Sequence, residues 1–253
     1  MGAFDERSLQ QFREDGFVIF PGVLNQDQLV TLDQWVTQLS RYQGPALVQT
    51  VAGEILSILG IHLINPAFCK IVTEPALLHF VERIIGSQVY IYQSSLQLKP
   101  LSSPPLRWHQ DFNAFNRFDG LPEPKGLSLG FFLDEVTELN APVHGIRSSQ
   151  RAGQLPARLT PPNDWYEIPQ SIIEEMVESH EVVSLAGAAG SLLLMDLNFV
   201  HASGNPLLAR RRAIAYFNLV SVSVKAANST RPNFIASREV VPLDHRPAIV
   251  SLR

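Results

Sequence analysis

The chain has a single cysteine, Cys69, in 253 residues. One thiol excludes an internal disulfide framework and any cysteine-rich zinc module. Charge is also scarce. Asp, Glu, Lys and Arg together make up 17%, and 20 basic against 24 acidic side chains leave a formal charge of −4. Such mild acidity gives no electrostatic footprint for nucleic acid or for an anionic membrane. No apolar run approaches the ~20 residues needed to cross a bilayer. Met1 to Asp15 lack the basic-then-apolar plan of a secretory signal. Internal repeats, low-complexity tracts and an interdomain linker are missing too. What the chain has instead is apolar sequence, 45% of it, which is incompatible with intrinsic disorder and sufficient for a sizeable core. The expectation is a soluble, cytoplasmic globular protein of one large domain or two small ones.

Helical patterns come first. Ser8–Phe12 leads to a stop at Asp15-Gly16, and a short strand follows at Phe17–Phe20. Asn25 is a fitting N-cap for a helix carrying Leu29, Leu32, Trp35, Val36 and Leu39 at helical spacing. Residues 66–85 read as one helix, opened by Pro66 and closed by Gly86. Strand patterns then take over at Val89–Tyr92, Leu127–Leu133, Ser191–Met195 and Ala213–Val220. Residues 160–180 read as an insertion with a short helix over Ser171–Ser179, either a lid or a surface elaboration. Helices followed by strands predict an α+β domain, its helices packed against a β-sandwich or barrel.

Among seven histidines, His109-Gln110-Asp111 is the informative context. In an extended segment, residues i and i+2 share a face, so His109 and Asp111 can address one ion. A second histidine completes the two-histidine-one-carboxylate set of non-haem Fe(II) oxygenases. His201 fits best, because it follows a strand and the turn at Asp196–Val200. Alone the pair is weak: seven His and ten Asp give ~0.3 such pairs by chance under a composition-only expectation. Downstream, an arginine entering the strand near the metal gives a bidentate carboxylate anchor, with Ser203 adding a hydroxyl. Arg211 is preferred among Arg210, Arg211 and Arg212; the alternative is a solvated basic cluster. His62, His79, His180 and His245 read as surface or packing residues, and Cys69 as a buried small one.

The sequence resembles the phytanoyl-CoA dioxygenase (PhyH-like) family of Fe(II)/2-oxoglutarate oxygenases. The carrying residues are Phe12–Val23, Trp108-His109-Gln110-Asp111, His201-Ala202-Ser203, and Arg211 with its apolar strand, in order over nearly the whole chain. The ectoine-hydroxylase branch is the nearest in flavour, through Tyr92-Gln93-Ser94, Lys99-Pro100, Asp119–Pro122, Ser128, Asp196-Leu197-Asn198 and Arg231–Ala236. The resemblance implies a double-stranded β-helix (jelly-roll, cupin-like) core over about residues 87–240, with a helical N-terminal part over about 1–86, in a single domain. It implies that His109, Asp111 and His201 hold Fe(II). It also implies that Arg211, helped by Ser203 and Gln97, holds the distal carboxylate of 2-oxoglutarate, and that O2 is the oxidant. Gln93 and Asn198 fall on the substrate side, Asn198 with Gln110 also serving as a candidate support for the ligands.

Three departures from that branch concern the substrate. Phe115 stands where the branch has tryptophan, Ser95 replaces an arginine, and Asn140–Gln150 introduces His144 and Arg147 as new polar groups for the pocket. The iron and cosubstrate machinery carries over; the substrate does not. The implied reaction is hydroxylation of an unactivated C–H bond in a small amino-acid-like or natural-product molecule, with release of succinate and CO2. Desaturation, epimerisation and ring closure use the same centre, while Asp111 as ligand argues against halogenation. The competing reading is a non-catalytic jelly-roll binding protein; a third keeps the fold with another divalent metal. A monomer or a homodimer is expected, with neither nucleic acid nor membrane as partner.

Overall fold

The computed structural model describes residues 4–160 and 165–243. Helix α1 (Glu6–Asp15) starts on Asp5, whose carboxylate accepts from the Ser8 N–H. It ends at Gly16, whose φ of 84° is the left-handed conformation glycine adopts without a Cβ penalty. Strand β1 (Phe17–Phe20) follows directly. Asn25 and Gln28 form a reciprocal capping box at the start of α2 (Gln26–Leu39), which buries Leu32, Val36 and Leu39. Then come β2 (Leu47–Gln49), β3 (Ile55–Leu59), α3 (Ile61–Ile64), α4 (Cys69–Val72), α5 (Pro75–Ile85), β4 (Val89–Gln97), β5 (Leu106–His109) and α6 (Asp111–Asp119). The remainder is β6 (Gly126–Phe132), β7 (Val143–Ile146), β8 (Arg158–Thr160), β9 (Trp165–Glu167), α7 (Gln170–Ser179), β10 (Val182–Leu185), β11 (Leu192–Asp196), β12 (His201–Ser203) and β13 (Ile214–Ser221).

The strands form a seven-stranded sheet of order β1-β11-β6-β13-β4-β3-β2, a four-stranded sheet of order β10-β7-β12-β5, and the separate pair β8-β9. From β4 onward the chain crosses from one larger sheet to the other at each step except from β7 to β10, which pair within the smaller sheet. β4, β6, β11 and β13 lie in one, and β5, β7, β10 and β12 in the other. That winding is the double-stranded β-helix, and it agrees with the jelly-roll expectation. Alternation along β13 separates two interiors. Ala215, Phe217 and Leu219 join Leu32, Phe80 and Val81 in the core beneath the helices. Ile214, Tyr216 and Asn218 face the smaller sheet, where the site is built. Among the described residues no helix is long and apolar enough to cross a membrane.

Three local expectations differ from the structure. The single helix over 66–85 is a 3-10 turn (Pro66–Phe68), α4 and α5, because Pro75 has no N–H to continue α4 and restrains the residue before it. The N-terminal part holds β2 and β3 besides the expected strand β1, and all three join the larger sheet. Short strands such as β5, β7, β10 and β12 carry too few residues for a period to register in the sequence. The helix of the insertion, expected at Ser171–Ser179, starts one residue earlier as α7.

Candidate metal centre

β5 ends on His109, and the chain turns at once into α6, so Asp111 occupies the first helical turn and not an extended strand. His201 on β12 lies directly across the ladder from His109, and Gly145 of β7 flanks it on the other side. Gly145 admits no side chain there, because a Cβ would stand 2.2 Å from the ring of Phe199. His109 and His201 are both buried.

Nδ1 of His109 lies 2.7 Å from the carbonyl oxygen of Arg107, and Nδ1 of His201 lies 2.9 Å from that of Phe199. A carbonyl only accepts, so each Nδ1 carries the proton and each Nε2 presents a lone pair. The two Nε2 atoms stand 3.8 and 3.9 Å from Asp111 Oδ1, and ligand atoms from the three residues all lie within 4.8 Å of one another. The other carboxylate oxygen, Oδ2, accepts from Ser128 Oγ at 2.5 Å and Asn218 Nδ2 at 3.4 Å. Asn218 Nδ2 also donates to Ser128 Oγ at 2.6 Å. Thus the sheet holds one carboxylate oxygen and leaves Oδ1 for an ion. Burial, reinforced by His201 alongside, pushes the pKa of His109 down and keeps its imidazole neutral.

The arginine run separates into two environments, and the expected anchor is corrected. Arg211 faces outward, bidentate on Asp134 at 2.7 and 2.8 Å and also paired with Asp33 at 2.6 Å. Arg212 points inward, with 3% exposure. Its Nε and Nη1 have no partner among the described residues, and it meets the phenol of Tyr216. The reason is alternation into β13: Arg212 falls in phase with Ile214, Tyr216 and Asn218, and Arg211 does not. Lys99, with 6% exposure, adds a second cation whose ammonium donates to the Pro104 carbonyl oxygen at 2.8 Å. Burial, then the nearby Arg212, lowers its pKa to about 8. Neither Arg212 nor Lys99 has a carboxylate partner among the described residues. A buried guanidinium with unused donors fits an incoming carboxylate.

The other expected residues divide likewise. Ser203 shares the inward face of β12 with His201. Gln97 and Gln93 share the inward face of β4, opposite Ile214 and Asn218, and Gln97 donates to Ser95 Oγ at 3.2 Å. Asn198 lies in the turn before β12, with Oδ1 buried and unpartnered among the described residues. Gln110 donates to the carbonyls of Asn198 and Gly153 and accepts from Leu155 N–H, so it ties backbone together and touches neither imidazole. Phe115 is a correction: fully buried, it packs at 4.8 Å on Tyr92 inside an aromatic cluster and does not line open pocket. His144 is a second, because it alternates outward on β7 and meets Glu138 at 3.6 Å. Arg147 is a third, spent on Glu181 at 2.9 Å, on Asp15 and on the face of Phe17. Ser128, Asn218, Lys99 and Tyr216 received no role from the sequence. For Ser128 and Asn218 the signal was polarity inside apolar strands, as in Leu127-Ser128-Leu129 and Phe217-Asn218-Leu219.

With this geometry in place, the chain's relatives decide its family. The family model of phytanoyl-CoA dioxygenase (PhyH) matches residues 12–213. The chain belongs to the PhyH family. As a PhyH protein it is an enzyme, a non-haem Fe(II)/2-oxoglutarate-dependent dioxygenase, and the His109–Asp111–His201 cluster fits the iron. It is 29% identical to L-proline trans-4-hydroxylase of Streptomyces griseoviridis, over 92% of this chain and 94% of that one. It is 25% identical to ectoine dioxygenase of Bordetella bronchiseptica, over 96% and 86%. A solved structure of EctD from S. alaskensis with 2-oxoglutarate and 5-hydroxyectoine superimposes with a TM-score of 0.84 at 25% identity, covering 95% of this chain and 86% of that one.

Proposed function

We propose that this PhyH enzyme hydroxylates an unactivated C–H bond of a small, amino-acid-like molecule, with Arg212 as the cosubstrate anchor. The observation that carries the reading is the pairing of a proton-free ligand cluster with a buried guanidinium whose donors are unused. His109, Asp111 and His201 hold Fe(II); Arg212, with Lys99, Ser203 and Gln97, takes 2-oxoglutarate. Bound together, iron and 2-oxoglutarate supply an oxidant from O2 that is strong enough to break an aliphatic C–H bond. The chain's share is placement. The Arg107 and Phe199 carbonyls fix both imidazole tautomers, Ser128 and Asn218 orient the carboxylate, and the two buried cations fix the far end of the cosubstrate. Gln93 and Asn198 offer polar atoms to the substrate. Proline and ectoine are both small cyclic amino acids, so the names of the relatives support this substrate class. The chain acts as one domain, in the cytoplasm.

The test is anaerobic titration of the Fe(II)-loaded protein with 2-oxoglutarate, followed by a succinate-release screen of free amino acids, L-proline and ectoine. A visible charge-transfer band and substrate-dependent succinate are the expected results. No band would end the cosubstrate reading. A band with no amino-acid-like molecule raising succinate release would end the substrate class.

A further inference from the structure

Side chains at the ends of α2 and α3 line a hollow of about 350 Å³, with an apolar set (Trp35, Leu39, Tyr42, Ile64) and a polar one (Gln38, Arg41, Asn65). Neither the metal cluster nor Arg212 or Lys99 contributes to it. The apolar walls are preformed. Leu39 is buried, and Trp35, Tyr42 and Ile64 pack on the core beneath the helices. Phe68 backs the indole, with ring centroids 5.1 Å apart and planes at 63°. Gly44 makes room for the Tyr42 phenol, since a Cβ there would stand 2.3 Å from its oxygen. The α3 wall is fixed to β4: the Gly60 N–H donates to the Ser94 carbonyl at 2.6 Å, and the His62 N–H to Ser94 Oγ at 3.2 Å.

The polar side chains are unspent. A helix end leaves carbonyls that a nearby basic side chain often takes. Here the N–H groups of Ser40, Arg41 and Tyr42 take those of Val36, Gln38 and Leu39, and Ser40 Oγ takes that of Thr37. The Arg41 guanidinium therefore has no capping duty. Neither it nor the Gln38 amide has a side-chain partner among the described residues. Asn65 Oδ1 accepts the Ala67 N–H at 3.1 Å, which leaves Nδ2 as its unused group. No acidic side chain lines the hollow, although acids outnumber bases in the chain by 24 to 20.

We propose that this hollow binds a small aromatic carboxylate, at a second site apart from the iron centre. Arg41 takes the carboxylate with two parallel hydrogen bonds, and Gln38 and Asn65 donate to its oxygens. The flat ring fills the space between Trp35, Leu39 and Ile64. One cation matches one negative charge. A phosphate monoester carries about 1.5–2 charges near neutral pH, more than Arg41 alone balances. 2-Oxoglutarate, charged at both ends, would press its second carboxylate on the apolar walls. The volume lies within the range of small-molecule sites, roughly 300–1,000 Å³.

The test is calorimetric titration of the full chain, loaded anaerobically with Fe(II) and 2-oxoglutarate so that Arg212 is not free for another acid. The probes are benzoate, phenylacetate and indole-3-acetate; indole-3-ethanol and inorganic phosphate are the controls. At least one acid should bind at a single site with a dissociation constant below about 1 mM, and neither control should bind at that concentration. Arg41→Gln, a change at an exposed side chain, should weaken the acid about 10- to 100-fold, and Arg41→Lys, which keeps the charge, should recover part of the loss. Failure of all three acids to saturate overturns the proposal. Equal affinity in Arg41→Gln places the acid elsewhere and overturns it too. An alcohol or a phosphate that binds as tightly as the acid overturns the ligand class.

Discussion

Two neighbouring arginines carry the sharpest contrast at the scale of single residues. On the proposed anchoring, removing the Arg212 guanidinium deletes charge-assisted hydrogen bonds to the cosubstrate, each set worth about 1.5–3 kcal/mol. Arg212→Ala should therefore raise the KM for 2-oxoglutarate by about 10- to 100-fold. Arg211→Ala removes only ion pairs near the surface, about 0–1 kcal/mol, and should leave that KM unchanged. Initial rates of succinate release on the two variants check this, and equal effects would refute the assignment. Ser128 gives a second residue-level expectation. Ser128→Ala takes the 2.5 Å hydrogen bond from Asp111 Oδ2 and frees the carboxylate to rotate. Fe(II) affinity should fall about 10- to 100-fold, as for other supports of metal ligands. Equilibrium dialysis against iron measures it, and an unchanged thermal midpoint separates the loss from unfolding. At this scale the ligands were legible because His109, Asp111 and His201 are chemically distinctive. The choice of arginine was not, since three adjacent arginines look alike until the register of β13 decides which one is in phase with Asn218.

At the scale of elements, function depends on how closely β7 and β12 approach. Gly145 leaves the space that the Phe199 ring fills, and that ring lies parallel to His201. Gly145→Ala should cost about 1–3 kcal/mol by overpacking and move His201 as the ring gives way. Chemical denaturation gives the first part, and weakened iron binding gives the second; full stability with full affinity would contradict the packing argument. A different element joint closes the far end of α6. Asp119, completely buried, accepts from the phenol of Tyr92, from Ser229 at 3.1 Å and from both arms of Arg231, so residues 229–231 are tied onto α6. Arg231 also covers the ring of Phe118 at 5.2 Å. Asp119→Ala leaves a cation with 14% exposed side chain without its partner, and a loss of about 3–5 kcal/mol follows. Limited proteolysis should then cut within residues 225–240 ahead of the rest of the chain. The long strands and the capped helices were readable from period and caps. This joint was not, because its partners are more than a hundred residues apart and no local pattern links them.

At the scale of the whole molecule, acid stability follows from groups that folding holds away from their ordinary protonation. Burial lowers the pKa of His62 to about 4, and burial with His201 nearby pushes down that of His109. Both titrate near 6.5 in the unfolded chain. Between pH 6.5 and 4 the unfolded state therefore binds two protons that the native state refuses, and stability falls as pH falls. Asp196 acts in the opposite sense. Burial raises its pKa to about 6, so the native state takes up a proton there that the unfolded chain does not bind until near pH 4. Near pH 5 two protons favour unfolding and one favours folding. The net slope is positive, on the order of one proton or about 1.4 kcal/mol per pH unit. Urea titrations of the metal-free enzyme at pH 7, 6 and 5 should show the midpoint dropping in step. His62→Gln removes one of the two refused protons, leaving His109 and Asp196 to offset each other, so its stability should be nearly flat across that range. A wild-type midpoint independent of pH, or a variant that keeps the full slope, would refute the assignment to these three groups. Iron adds to the same trend, because protons compete with the metal for His109, and the loaded enzyme should lose stability with acid more steeply than the metal-free one.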